Sequence, residues 1–480
     1  MIRTKIVATV GPACDSESVV AQMIDAGVNV FRLNFSHGTP EERGMALQRI
    51  REAAASRDMP IAVMGDLSGP KIRLGKIDGD QCSLTEGVRV VFQRQEILGT
   101  PERLSCTYPA LIDDVKVGDR ILIDDGNVML RAAEKRADEI VAVCEVGGVI
   151  SNSKGVNLPD STVSSPSLTD KDRQDLEWIV QHQLEYVALS FVRKASDLAD
   201  LREAIRRIDP NSPIRVVSKI EKPEAIENIH SIIDASDVVL IARGDLGVEM
   251  DVSRVPIIQK EIAVICRRVY KPVIVATQML QSMIESPMPT RAEVSDVANA
   301  ILDDADAVML SAETSIGKYP VEAVKMMRRI ASQTEAFVRC FGHHGVAISA
   351  HKPPVAKAVV HGASVMVQEL DTQVVAALTL TGEAARFLSR QRLGATIVAL
   401  ATSPVVCRQM ALLYGILPIL VPTVEVCKKM MAEMDRILQS RKLAEVGDQV
   451  VVVADARPDV PGEADLVLVH AVEPGKAWTR

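Results

Sequence analysis

The strongest constraint on this chain is an alternation, eight times over, of short apolar runs with amphipathic segments. The strand-like runs fall at 5–10, 28–34, 61–66, 185–191, 214–221, 238–243, 272–277 and 305–311. Helical spacing in most of the gaps predicts helices over 16–26, 40–56, 170–181, 196–208, 223–235, 254–269 and 291–302. Repeated strand–helix alternation implies a parallel sheet, and eight units are what a closed (β/α)8 TIM barrel requires. Polar residues close the runs: Thr9, Asn34, Asp66, Ser190, Lys219, Arg243, Thr277 and Ser311. In a barrel those C-terminal strand ends form the catalytic face.

Two stretches break the alternation. Between Asp66 and Thr169 the chain turns to short β-like pieces with turn signals such as Asp78-Gly79, Glu86-Gly87, Asp125-Gly126 and Gly147-Gly148. They predict an all-β domain inserted after the third strand, hinged near Ser68-Gly69-Pro70 and Asn157-Leu158-Pro159. An insertion there covers the catalytic face as a lid. The barrel pattern stops after Gln333, and His343-His344-Gly345 with Pro353-Pro354 marks a linker to a separate open α/β domain. The expected organisation is a barrel in two parts, 1–68 and 159–340, a lid at 69–158 and a C-terminal domain at 341–480. A chain of 480 residues exceeds one core, and 47% hydrophobic content fills several.

Charge sits where a buried strand ends. In an extended Ser218-Lys219-Ile220-Glu221 the ammonium and carboxylate leave on one side, and Arg243 and Asp245 are expected to repeat that geometry. Buried charges pair with each other or hold an ion, so a divalent metal beside an anion accounts for Lys219, Glu221 and Asp245; a purely structural salt bridge is the competing reading. The stretch from Phe31 to Gly38 puts Arg32, Asn34 and Ser36 on one face, a guanidinium with two oxygen ligands, which suits a phosphoryl group and a cation as well as a plain polar loop. The stretch from Gly65 to Arg73 adds Asp66, Lys71 and Arg73 at the hinge. The hydroxyls of Thr277 and Ser311 serve equally as ligands or as satisfied core groups. His182 and His230 read as ordinary surface or core residues, and Met279, Met283 and Met288 as packing.

Composition narrows the partners. A net charge of -8 and 3% aromatic residues argue against nucleic acid. Eight cysteines without a C-x-x-C spacing read as reduced core thiols. No run reaches transmembrane length and the N-terminus lacks a signal-peptide pattern, so no membrane partner and a cytoplasmic location are expected.

Together the pieces resemble the pyruvate kinase family. The match runs through Thr4 to Pro12, Arg32 to Gly38, Asp124-Asp125-Gly126, Lys154 to Pro159, Ser218 to Glu221, Ala242 to Gly247, Ala276 to Leu280 and Pro289 to Glu293. The resemblance implies phosphoryl transfer from phosphoenolpyruvate to ADP, with Mg2+ or Mn2+ held by Glu221 and Asp245. By the same resemblance Lys219 steadies the moving phosphoryl group, and Arg32 and Arg73 grip phosphate. Gly244, Asp245 and Thr277 receive the substrate carboxylate, and Thr277 and Ser311 take part in protonating the enolate. His37, Asp125, Lys154 and Arg73 fall on the nucleotide side. A homotetramer is also implied.

Within that family, members that need potassium generally carry Glu at the position of Lys71 and Thr at that of Leu67, near Asn34, Ser36 and Asp66. Lys71 here is a fixed ammonium, which implies membership of a bacterial-type, potassium-independent subgroup. The C-terminal loop 379–384 holds Glu383 and Ala384, and the loop 457–465 holds Asp459, Glu463 and Asp465, so fructose-1,6-bisphosphate is disfavoured as an effector. Two rivals compete: a metal-dependent carbon–carbon lyase on the same barrel, and a catalytically silent sensor.

Overall fold

The computed structural model describes residues 2–341, 355–424, 428–454 and 464–474. Strands Lys5–Thr9, Val30–Asn34, Ala62–Asp66, Tyr186–Leu189, Arg215–Ile220, Val238–Ala242, Val273–Ala276 and Ala307–Leu310 close into a barrel, parallel throughout. Closure comes from pairing of the first strand with the last, Ile6 opposite Val308. Side chains alternate about each strand, so Val7, Met64, Val217, Leu240 and Ile274 fill the barrel interior. Their neighbours Ile6, Val63, Val216, Ile241 and Val275 pack outward against the helices.

Local signals set the helix starts. Thr39 and Glu42 form a reciprocal cap ahead of Pro40–Ala55, as do Thr169 with Asp172 and Thr290 with Glu293. Three expectations need correction. The helix expected over 223–235 is two, Pro223–Glu227 and Ile229–Ala235, because the Asn228 side chain donates to the carbonyls of Glu224 and Arg193 at the break. The barrel pattern, expected to stop after Gln333, continues in a last helix over Pro320–Phe341. The sixth strand ends at Ala242 and Arg243–Glu249 is already helical, so Arg243 and Asp245 do not share an extended face. Met279 and Met283 are buried as expected, whereas Met288 is exposed.

The insertion after the third strand forms a six-stranded sheet ordered Val156–Asn157, Arg120–Ile123, Val128–Lys135, Glu139–Val146, Arg89–Gln93, Arg103–Leu104. Gly148–Ser151 pairs with Gln81–Leu84 beside it, and one helical turn, Leu111–Asp114, interrupts the β structure. At the hinge Gly69 has φ +64°, and a Cβ there would lie 2.7 Å from the Phe191 ring, so only glycine fits.

The C-terminal sheet is ordered Ile416–Leu420, Thr396–Ala401, Val374–Leu378, Gln449–Ala454, Leu466–Ala471, with the last strand antiparallel. Separate apolar clusters pack its two faces. This domain seats on the N-terminal face of the barrel. Lys5 donates to the Ile416 carbonyl at 2.7 Å, Glu185 takes Arg51 and Arg408, and Asp306 takes Arg390 and Arg392. Most of the loop 457–465, with its Asp459 and Glu463, lies outside the described residues, as does Cys427. Cys14, Cys144, Cys266 and Cys407 are buried free thiols, while Cys340 is exposed. Among the described residues no helix is long and apolar enough to cross a membrane.

Candidate active site

The C-terminal strand ends converge on a buried chain of charge. Lys219 closes the fifth strand, its ammonium 2.9 Å from Glu221 Oε1 and 3.3 Å from Asp66 Oδ1, and it donates to Ser190 Oγ at 2.7 Å. Asp66, on the third strand, also takes Arg32 Nε at 2.6 Å, and Arg32 reaches Thr9 Oγ1 at 3.1 Å. Burial alone would push the Lys219 ammonium toward neutrality, but Asp66 and Glu221 outweigh it and hold its pKa above the ordinary lysine value. Burial likewise opposes the charge on Asp66, and Lys219 with Arg32 pulls its carboxyl below the usual range.

Glu221 behaves in the opposite sense. Its burial, with the charge of Asp245 added, raises its carboxyl pKa despite Lys219. The amide of Phe191 donates to Glu221 Oε2 at 2.7 Å, which fixes the side chain. Two repelling carboxylates of this kind suit a small divalent cation that takes its remaining ligands from water and substrate oxygens. Among the described residues no group of three or more His, Cys, Asp and Glu side chains gathers to hold a metal unaided. The donor set fits such an ion.

Beside these charges the seventh strand ends in a strained turn, Thr277 at φ 69° and Gln278 at φ 55°. A β-branched residue in the left-handed region costs about 1–3 kcal/mol and needs external support. Arg243 supplies it: the guanidinium donates to the Thr277 carbonyl at 2.9 Å and grips both oxygens of Asp296. The Thr277 hydroxyl accepts the Gly244 amide at 2.7 Å, so the threonine meets the first turn of the helix carrying Asp245. Ser311 is half-buried past the eighth strand, its amide donating to Glu313 Oε2.

The lid side is less closely packed. Lys71 is exposed and, with Asp125, Phe191, Arg193, Lys222, Asn157 and Asp245, lines a cleft between lid and barrel. Arg73 Nη1 donates to the Ser153 carbonyl, and Lys154 pairs with Asp124 at 2.7 Å. Asn34 Oδ1 accepts the Ser36 amide, and His37 is exposed on the following turn. The structure thus gathers Arg32, Asp66, Lys219 and Glu221 through direct contacts and joins Thr277 to Gly244; Asp245 lines the cleft and acts on Glu221 through its charge.

Ser190, one of the polar strand ends marked in the sequence, serves as an acceptor for Lys219. Sequence reasoning missed two partners: Lys222 and Glu249 form a buried pair at 2.6 Å that also takes the Asn157 side-chain amide at 2.7 Å. The charge next to Glu221 in Glu221-Lys222-Pro223 is the one signal that pointed at Lys222. Glu249, at the far end of its helix, offered none.

Comparison with known proteins gives the same answer along the whole chain. Residues 1–324 match the family model for the pyruvate kinase barrel domain, and residues 357–470 that for the pyruvate kinase alpha/beta domain. A pyruvate kinase of Geobacillus stearothermophilus is 41% identical over 98% of this chain and 80% of its own length. One of Mycobacterium tuberculosis is 40% identical over 98% of both chains. A crystal structure of a pyruvate kinase from Cryptosporidium parvum superposes with a TM-score of 0.91 at 33% identity, covering 98% of this chain and 96% of that one. With the barrel, the inserted sheet, the C-terminal domain and the charge chain at the strand ends all accounted for, this protein belongs to the pyruvate kinase family of phosphotransferases.

Proposed function

We propose that the chain transfers the phosphoryl group of phosphoenolpyruvate to ADP, the last step of glycolysis, at the site built on Lys219. The P–O bond to the enol oxygen breaks, a P–O bond to a terminal oxygen of ADP forms, and the enolate gains a proton at carbon to give pyruvate. The observation that carries this reading is the Lys219 ammonium, kept charged between Glu221 and Asp66 at the catalytic end of the barrel. Phosphoryl transfer asks for positioning and charge stabilisation more than for covalent chemistry. Lys219 and Arg32 meet the charge of the moving group, and Arg73 grips phosphate from the hinge. The Gly244 and Asp245 amides with the Thr277 hydroxyl receive the substrate carboxylate. Water, Thr277 and Ser311 deliver the proton. His37, Asp125, Lys154 and Arg73 contact the nucleotide as the lid closes over it.

The family implies a divalent metal; Glu221 and Asp245 are the residues that would hold Mg2+ or Mn2+, which supplies Lewis-acid polarisation of substrate oxygens. Potassium is not required in this reading. Leu67 is buried and offers no side-chain oxygen, Asp66 is already met by two cations, and Lys71 brings its ammonium to the cleft shared with Asp245. Unit charges 4 Å apart interact by about 4 kcal/mol at a dielectric near 20, enough for a lysine to replace a monovalent ion. The protein works in the cytoplasm as a homotetramer. The exposed Met288, Leu302 and Phe337 beside the groove between Arg291–Leu302 and Pro320–Phe341 support association.

Pyruvate formation from phosphoenolpyruvate and ADP is measured with Mg2+ in buffer free of potassium and ammonium. Full turnover is expected, and Lys71→Glu is expected to make activity depend on added potassium. Turnover that needs potassium in the unaltered chain overturns the role given to Lys71. Silence with potassium present overturns the kinase reading itself.

A further inference from the structure

The two carboxylates assigned to the divalent metal ride on different elements. Glu221 follows the fifth barrel strand, Arg215–Ile220, and Asp245 sits in the first turn of the helix Arg243–Glu249. Like charges repel, and the charge of Asp245 already helps to raise the Glu221 carboxyl pKa. Whatever ties the two elements to each other therefore sets how far apart the carboxylates stand. One residue beyond Glu221 and one helical turn beyond Asp245 the chain supplies such a tie: Lys222 Nζ lies 2.6 Å from Glu249 Oε1.

Local chemistry stiffens both ends of that contact. Pro223 follows Lys222 and confines it to extended backbone, φ -122° and ψ 146°. Asp245 and Glu249 are four residues apart on one helix and share a face. The pair is sealed from water, the Lys222 side chain 10% exposed and that of Glu249 1%. Glu249 Oε1 also accepts the Asn157 side-chain amide at 2.7 Å, while Glu249 Oε2 is buried and takes no hydrogen bond among the described residues. A buried ion pair adds little stability over a well-packed apolar pair, and an orphaned carboxylate oxygen subtracts from it. What this pair supplies is a short contact of fixed length between the carriers of Glu221 and Asp245.

We infer that Lys222 and Glu249 are positioning residues for the divalent cation: their contact fixes the spacing of Glu221 and Asp245, and with it the size of ion the two carboxylates accept. The role rests on the proposal that Glu221 and Asp245 hold the metal. Mg2+ takes oxygen ligands at about 2.0–2.1 Å in near-octahedral geometry, whereas Ca2+ takes them at about 2.3–2.6 Å in looser arrangements. A strut that keeps the carboxylates close favours the smaller ion, and its loss costs Mg2+ more than Ca2+. Charge alone gives the opposite sign, since removing the Lys222 cation would tighten the hold on any dication. Weaker binding without Lys222 therefore reports spacing.

The test is titration of the full chain with Mn2+, followed by the electron paramagnetic resonance of the free ion, with Mg2+ and Ca2+ as competitors and no substrate present. Lys222→Met is expected to weaken Mn2+ and Mg2+ by about 10–100-fold and Ca2+ by less than about threefold. Because Lys222→Met leaves the Glu249 charge buried and alone, a second variant joins it to Glu249→Gln, which leaves no unpaired charge and keeps an acceptor for Asn157. This double variant is expected to melt like the unaltered chain and still to bind Mn2+ and Mg2+ weakly. Recovery of Mg2+ affinity together with melting would make the pair merely structural and overturn the inference, as would equal weakening of Mg2+ and Ca2+. Glu221→Gln separates the two readings. Mn2+ binding lost there but unchanged in both strut variants overturns the positioning role alone, whereas Mn2+ binding that survives Glu221→Gln removes the metal assignment and this role with it.

Discussion

Lys219 shows how a single residue can be read from sequence and still owe its state to its surroundings. The alternation of a strand makes residues two apart share a side, so the Lys219 and Glu221 pair was legible, and the contact is 2.9 Å. Asp66 as its second partner was not legible, since it arrives from a strand more than 150 residues earlier. Because the folded pKa of Lys219 lies above its unfolded value near 10.4, its charge and the stability it contributes are fully present below that pH. They are lost only as pH rises through the still higher folded value. No fall in kcat from loss of the Lys219 proton is therefore expected up to about pH 9.5 in a pH–rate profile. Lys219→Met is expected to lower kcat by about 10²–10³-fold or more, with a smaller change in KM for phosphoenolpyruvate. Steady-state rates checked against an unchanged melting curve decide this, and a loss confined to KM would remove Lys219 from the transfer step. Arg243 is the counterexample: strand periodicity suggested that it leaves the barrel beside Asp245, and the fold spends it on Asp296 and the strained Thr277 turn.

Elements were legible where local chemistry dictates them. The barrel strands and most helices follow from apolar periodicity and from caps such as Thr290 with Glu293. The break at Asn228 was not, because periodicity continues across it while a side chain takes over the backbone bonds. The lid hinge was marked by Gly69-Pro70, but its tether was hidden. Asn157 donates to Glu249, which ends the helix whose first turn carries Gly244 and Asp245. The hinge and the turn proposed to receive the substrate carboxylate are therefore joined through one short element. Asn157→Ala removes a hydrogen bond to a buried carboxylate, expected to cost about 1 kcal/mol and to raise KM for ADP by about fivefold, with KM for phosphoenolpyruvate little changed. Equal rises in both constants would show that the tether does not report lid position.

At the scale of the whole molecule the C-terminal domain is bound to the barrel through buried charge, and Lys5 is the clearest case. Burial lowers its pKa to about 8, against some support from Glu335, while it donates to the Ile416 carbonyl across the joint. Between pH 8 and 10.5 the unfolded chain holds this proton and the folded chain does not, so stability rises with pH in that window. Relative to Lys5→Met, the unaltered chain is expected to gain about 2 kcal/mol between pH 7 and 9.5 in urea denaturation. A pH-independent difference would mean that the buried ammonium stays charged. The sequence by itself determined the barrel, the inserted lid, the third domain, and the clustering of Lys219, Glu221, Arg32 and Thr277 at one end, because periodicity and strand direction are local properties. Only the tertiary structure decided which charges neutralise one another and that Arg243 props a turn. Electrostatic partnership depends on distances of a few ångströms between segments far apart in the chain, and those distances exist only once the chain has folded.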